Sequence, residues 1–173
     1  MLRALIPLLL CSALASCGAT NEQAAKSAPN FTISSTAFAD GAAIPAQFTC
    51  DGPGQAPPLR WTDPPQGTKS LALIVDDPDA PGGTFRHWGA FNIPADARLL
   101  NGTFAQAVND FGGPGYGPPC PPKGNGVHQY RFRLLALSVD RLGLSSPKVK
   151  QLEAEAAKHA IGEARLTGTY ERN

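Results

Sequence analysis

Eighteen glycines and seventeen prolines punctuate this 173-residue chain without any period. Clusters such as Asp51-Gly-Pro-Gly-Gln-Ala-Pro-Pro58 and Gly113-Pro-Gly-Tyr-Gly-Pro-Pro-Cys-Pro-Pro122 leave mostly short apolar runs between them. A run of that length can bury a face in a sheet but holds too few turns for a stable helix. The punctuation therefore favours an all-β domain of short strands joined by tight turns. It argues against a collagen repeat, which needs a strict three-residue period, and against a low-complexity chain. The length allows one domain of ordinary size.

The apolar runs supply the strands. Residues 31–38 alternate apolar and polar side chains, and 47–50 and 59–61 are shorter candidates. Residues 70–75 are almost continuously apolar, as in a strand covered on both faces. They deliver Asp76, Asp77 and Asp79 directly at their end. Residues 88–93 stop at Pro94, 163–170 form a late strand, and 129–139 are the clearest strand of all, with Tyr130, Phe132, Leu134, Ala136 and Ser138 on one face. One helix is predicted over 148–160, with Ser146 as N-cap, Pro147 at its first position, Val149, Leu152 and Ala156 on one face, and Gly162 as its stop. This order predicts a β-sandwich with one late helix.

The first residues read as a leader. Met1-Leu-Arg carries one basic side chain, and the apolar run that follows is too short to span a bilayer. It ends Leu14-Ala-Ser-Cys17, which resembles a bacterial lipobox and implies removal of residues 1–16 and acylation of Cys17. Gly18, in place of an aspartate, points to the periplasmic face of an outer membrane in a Gram-negative cell. Cleavage after Ala15, giving a soluble periplasmic or secreted protein, is the alternative. Residues 17–30 are small and polar, a flexible tether with a reach on the order of 20 Å, so the folded domain is 31–173. Loss of the leader, with Arg3, leaves fourteen basic against fourteen acidic side chains, a neutral surface with no footprint for nucleic acid. Of the four cysteines, Cys11 leaves with the leader. Cys50 and Cys120 then meet an oxidising compartment as a pair, which predicts a bridge between them.

Two of the three histidines stand in the two least ordinary stretches. His87 closes Asp76-Asp-Pro-Asp-Ala-Pro-Gly-Gly-Thr-Phe-Arg-His87, and His128 follows the Gly/Pro-dense loop. Together they suggest an anion pocket. A protonated imidazole donates from both nitrogens, and Asp77 or Asp79 can hold the tautomer of His87. Gly113, Gly115 and Gly117 let backbone approach a ligand, while Pro118, Pro119, Pro121 and Pro122 stiffen the wall. Tyr130 shares a strand face with His128 and adds a neutral donor. Phe85, Trp88 or Tyr116 can form an apolar rim.

Asp77-Pro-Asp-Ala-Pro81, His87-Trp88, Asn109-Asp-Phe-Gly112 and Gly115-Tyr-Gly-Pro-Pro-Cys-Pro-Pro-Lys-Gly-Asn-Gly-Val-His-Gln-Tyr130 resemble, in that order, the phosphatidylethanolamine-binding protein family in its bacterial Raf-kinase-inhibitor-like branch. The resemblance covers about residues 31–170. It implies an antiparallel Greek-key β-sandwich with a small pocket for phosphoryl or carboxylate groups, lined by Asp77, Asp79, Phe85, His87, Tyr116, Cys120, His128 and Tyr130. It also implies a cis Ala80–Pro81 bond. The function implied is non-catalytic binding of small anions or phospholipid head groups, coupled to docking or inhibition of a protein partner. The alternatives are a hydrolase using Asp, His and Tyr or Cys120, and an inhibitor acting through the pocket rim. Neither a Gly-x-Ser-x-Gly elbow, a phosphate-binding loop of the Walker type nor a His-Glu-x-x-His pair occurs, and no ligand spacing specifies a metal, so no cofactor is expected.

Overall fold

The computed structural model describes residues 30–173. The expected leader, Cys17 and nearly all of the tether lie outside the described residues. Among those residues are strands β1 (Ile33–Ser35), β2 (Leu59–Trp61), β3 (Ser70–Asp77), β4 (Phe85–Pro94), β5 (Ala105–Gln106), β6 (His128–Leu137) and β7 (Ala160–Tyr170), with one helix, α1 (Val149–Ala157). β1 pairs with β2, and the main sheet runs β5-β4-β3-β6-β7, every pairing antiparallel. After β3, β4 and β5 follow one another across the sheet, the chain returns so that β6 lies beside β3.

Strand β3 is buried along its whole length because both faces of the main sheet are covered. Leu71, Leu73 and Val75 face the small β1–β2 sheet, packing with Ile33, Trp61 and Phe132. Ala72 and Ile74 face the helix, packing with Val149, Leu152 and Ala156. At roughly 1.5–3 kcal/mol for each large apolar side chain taken from water, these layers explain why β3 reads as a continuous apolar run.

The expected β content and the helical face hold, while several boundaries move. Pairing covers only Ile33–Ser35 of the predicted 31–38 strand, because its partner β2 is three residues long and the Ser35 hydroxyl accepts the Ala37 N–H (3.1 Å), turning the chain. The predicted strand at 47–50 is instead a 3-10 turn, Ala46–Phe48, entered from Pro45 and closed by the Thr49 hydroxyl donating to the Ala46 carbonyl (3.0 Å). β5 was not foreseen; its two residues are too few to carry a pattern.

The helix starts later than its N-cap signal suggested. Val108 donates to the Pro147 carbonyl (2.8 Å) and accepts the Val149 N–H (2.9 Å), which holds 147–148 extended and makes Lys148 the N-cap. The helix also ends at Ala157, and Gly162, expected as its stop, lies inside β7. A Cβ there would meet Pro65 Cγ at 2.5 Å, so glycine serves the close approach of a loop to the strand. The Ala80–Pro81 bond is trans, against expectation. Gly83 N–H donates to the Ala80 carbonyl (2.9 Å), which puts Pro81 at the second position of a turn, where a trans proline with its fixed φ is favoured.

Candidate functional site

Strand β3 ends on two adjacent carboxylates that face opposite sides of the sheet. Asp76, 1% exposed, turns to the helix side, where Arg131 (2.6 Å) and Arg133 (3.0 Å) of β6 pair with it. Arg133 continues to Glu153 of α1, which also holds Arg86 of β4 (2.9 Å). This network ties three strands to the helix and excludes one-residue slips in register. Asp77 turns to the other side, into a cavity of about 370 Å³.

Both Asp77 oxygens act as acceptors. Oδ1 takes the Asp79 N–H (2.8 Å), and Oδ2 takes the Nδ1–H of His128 (2.7 Å). The expected carboxylate partner of His87 therefore belongs to His128. His128 stands directly before Gln129, whose N–H the Asp79 carboxylate accepts (2.9 Å). Asp79 thus fastens the loop after β3 to the start of β6 and does not line the cavity. The second nitrogen of His128, Nε2, meets the Asn125 side-chain amide (2.8 Å).

A β-bulge aims His87. Between the pairs Val75–Trp88 and Asp76–Arg86, β4 advances two residues while β3 advances one, so His87 is the unpaired extra residue. Bulges re-aim a side chain in this way beside functional sites. Its Nδ1–H donates to the Gly117 carbonyl (2.9 Å), and the Gly117 N–H returns a bond to the His87 carbonyl (2.8 Å). Burial holds the His87 pKa below its ordinary value. The ring is then neutral at pH 7, with its proton on Nδ1 and a lone pair on Nε2.

Tyr130 lies fully buried, its ring edge-on to His87 with centroids 5.2 Å apart. Its hydroxyl has no protein hydrogen-bond partner, alone in this among the buried side-chain polar atoms of the described residues. Burial raises its pKa first, then the charge of Asp77 and the approach of the hydroxyl to that same carboxylate, which it adjoins without reaching hydrogen-bond geometry, so the group stays a proton donor. Phe85 and Cys120 complete the part of the cavity lining that was expected. Cys120 is bridged to Cys50, as the pair of cysteines implied, and so has no thiol to act as a nucleophile.

Tyr116 does not reach the cavity. Its ring meets Trp88 edge-on (5.4 Å) and its hydroxyl donates to the Phe48 carbonyl (2.8 Å), a packing role between the loop and the 3-10 turn. Asp110 and Phe111, which do line the cavity, were missed as site residues. The motif Asn109-Asp-Phe-Gly112 was their signal. The buried Asn109 side chain accepts the Phe111 (3.0 Å) and Gly113 (3.3 Å) N–H groups and donates to the Gly115 carbonyl (3.0 Å), building the turn that holds Phe111 against Phe85 (4.8 Å). Among the described residues, no three His, Cys, Asp or Glu side chains come together as metal ligands would.

An antiparallel β protein with one helix and a polar, aromatic-walled cavity at the sheet end is the class these features define. Comparison with known proteins narrows it. The family model described as phosphatidylethanolamine-binding protein matches residues 34–171. A "UPF0098 protein" of Aquifex aeolicus is 43% identical over 151 residues, covering 82% of this chain and 88% of the relative. A Mycobacterium tuberculosis chain named as a candidate lipoprotein, LppC, is 44% identical over 153 residues, covering 85% and 75%. The crystal structure of Escherichia coli YbcL, described as a new member of the mammalian PEBP family, superposes with a TM-score of 0.79 at 31% identity, covering 83% of this chain and 99% of that one. The chain belongs to the phosphatidylethanolamine-binding protein family and has its fold.

Proposed function

We propose that this protein is a non-catalytic binding module whose cavity takes a small phosphoryl or carboxylate group, free or on a phospholipid head group. The observation that carries this reading is the Tyr130 hydroxyl, a buried donor lining the cavity without a protein acceptor. A buried polar group left unpaired costs about 1–3 kcal/mol, and a ligand oxygen recovers that cost. His87 Nε2 becomes a second, charged donor when it takes a proton. The bridged Cys120 and the Pro121-Pro122 wall preorganise the site. Family membership supports a binding role, and the strand order β6-β3-β4-β5 supports the Greek-key connection. Calorimetric titration with inorganic phosphate tests the reading. Tyr130→Phe should weaken binding roughly tenfold with an unchanged circular dichroism spectrum, and equal affinities for the two proteins would refute it.

A second reading, docking of a protein partner at the rim, is favoured by Phe111, which is 55% exposed at the cavity mouth.

The lipobox at Cys17 and the lipoprotein relative support anchoring in the cell envelope, at the periplasmic face of the outer membrane in a Gram-negative source. Wild-type protein should enter the detergent phase on Triton X-114 partitioning, and Cys17→Ser should leave it. Recovery of both from the aqueous phase would end the anchor proposal.

A further inference from the structure

The cavity's charge is the opposite of what an anion site would ordinarily carry. Its lining includes two carboxylates, Asp77 and Asp110, and neither lysine nor arginine. The arginines of β6, Arg131 and Arg133, lie on the other face of the sheet, committed to Asp76 and Glu153, and Arg172, which approaches Cys120 and Pro121 of the wall (3.5 Å each), is paired with Asp51 (2.9 Å). We propose that Asp77 is a specificity determinant that selects oxyanions still carrying an acidic proton, namely phosphate and phosphate monoesters, over sulfate and phosphate diesters, which narrows the reading above to free phosphate or a monoester and away from the phosphodiester of an intact phospholipid. The inference rests on the reading that the cavity binds an oxyanion, and it names which kind.

The hydrogen-bonding inventory of the side chains supports it. Asp77 already accepts the Asp79 N–H and the His128 Nδ1–H, one at each oxygen, so it is an acceptor on both. Each carboxylate oxygen has a second lone pair. His128 brings nothing further, since Asn125 occupies its Nε2. In His87 the Gly117 carbonyl holds the proton on Nδ1, which leaves Nε2 as a lone pair in the neutral ring. Tyr130 is the donor. Asp110 is exposed at the mouth, where its Oδ2 accepts the Arg86 N–H (2.8 Å), so the buried floor presents one donor, Tyr130, and two acceptors, Asp77 and His87 Nε2.

A fully deprotonated oxyanion has only lone pairs to offer, and one of them must face the Asp77 carboxylate. A ligand that keeps a P–OH group donates that proton to Asp77 and accepts the Tyr130 hydroxyl with a neighbouring oxygen. The difference between donating to a carboxylate and facing it with a lone pair is at least one charge-assisted hydrogen bond, worth roughly a ten- to hundredfold change in affinity.

Calorimetry at pH 7 with inorganic phosphate, sulfate and dimethyl phosphate is the test. Sulfate is a dianion and dimethyl phosphate a monoanion, so the two bracket the charge of phosphate and neither holds a proton. Wild-type protein should bind phosphate at least about tenfold more tightly than either. Asp77→Asn, which keeps the shape and adds an amide donor, should close that gap by improving sulfate binding. Asp77 is buried, and should the variant fail to fold, the wild-type ranking is decided independently by methyl phosphate against dimethyl phosphate at pH 5.5, where only the monoester carries a proton. Equal affinity for phosphate and sulfate, or for the two methyl esters, would overturn the inference and leave the binding reading standing. A full phosphate preference in folded Asp77→Asn would remove Asp77 as its cause. If neither phosphate, sulfate nor the esters bind, the binding reading itself fails, and the selectivity with it.

Discussion

Breaking the Cys50–Cys120 bridge should lower stability chiefly by freeing the unfolded chain. The bridge spans 70 residues of sequence. Loop-closure entropy for a span of that size corresponds to about 4 kcal/mol at 25 °C in the chain-entropy model. For a domain near 140 residues, each kcal/mol moves the melting temperature by about 3 °C, so a fall of roughly 12 °C is expected. Native contacts should survive the loss. The Cys50 N–H donates to the Pro119 carbonyl (3.0 Å), and the Tyr116 hydroxyl still reaches Phe48, so the two segments remain joined when folded. Scanning calorimetry of oxidised protein, of reduced protein and of a Cys50→Ala/Cys120→Ala double variant measures the effect. A shift below about 3 °C in both the reduced protein and the variant would refute the reasoning. It would mean that the unfolded ensemble already holds these segments together. Cys120 lines the cavity, so phosphate affinity should also fall, by about threefold, as the proline wall gains freedom.

His87 should make stability fall with acid. Its folded pKa lies below the ordinary 6.5 because of burial, so the unfolded chain takes up the proton first. The contribution is intact above pH 6.5 and is lost at up to about 1.4 kcal/mol per unit as pH drops toward the folded value. Urea denaturation from pH 7.5 to 5 should give a flatter profile for His87→Gln, and parallel profiles would count against it. Gly89→Ala should cost about 1–3 kcal/mol, because the new Cβ meets Leu152 Cδ2 and Val149 Cγ2 at 2.9 Å and Ala107 Cβ at 3.0 Å between β4 and α1; an unchanged urea midpoint would contradict it. Arg133→Met should cost about 1.5–3 kcal/mol, the worth of a hydrogen bond to a charged group, since the buried Asp76 keeps Arg131 as an ion-pair partner, and an unchanged midpoint in the same assay would contradict it.

Legibility followed the range of the forces involved. Continuous burial made β3 readable, and alternation made β6 readable, with Tyr130, Phe132, Leu134 and Ala136 on the core face, while Ser138, expected with them, is exposed just past the strand's end at Leu137. The short β1 and the 3-10 turn at Ala46–Phe48 depend on single hydrogen bonds to distant or turn-forming groups, which leave no periodic trace. At the cavity, Asp77, Phe85, His87, Cys120, His128 and Tyr130 were legible from motif order. Their pairing was not. Which histidine Asp77 meets depends on the antiparallel register of β3 with β6 and on one bulge in β4, and neither is encoded by spacing along a single strand. Tyr116 and Asp79 have the right chemistry and adjoin the site in sequence, yet their polar atoms are spent on Phe48 and Gln129.

The opposed carboxylates at the end of β3 bear on how relatives of this protein can diverge. An insertion or deletion of a single residue between Ser70 and Asp76 would exchange the two, sending Asp76 toward the ligand side and Asp77 into the arginine network. Both halves would fail together. Along β3 a change in length would therefore be costly, whereas the segments beyond the strand ends, such as the turn at 78–84 and the loop at 107–127, can take one. Those segments also carry much of the cavity wall. Lineages can remodel what enters the mouth by trading loop residues, while the charge at the floor is inherited with the register of the sheet.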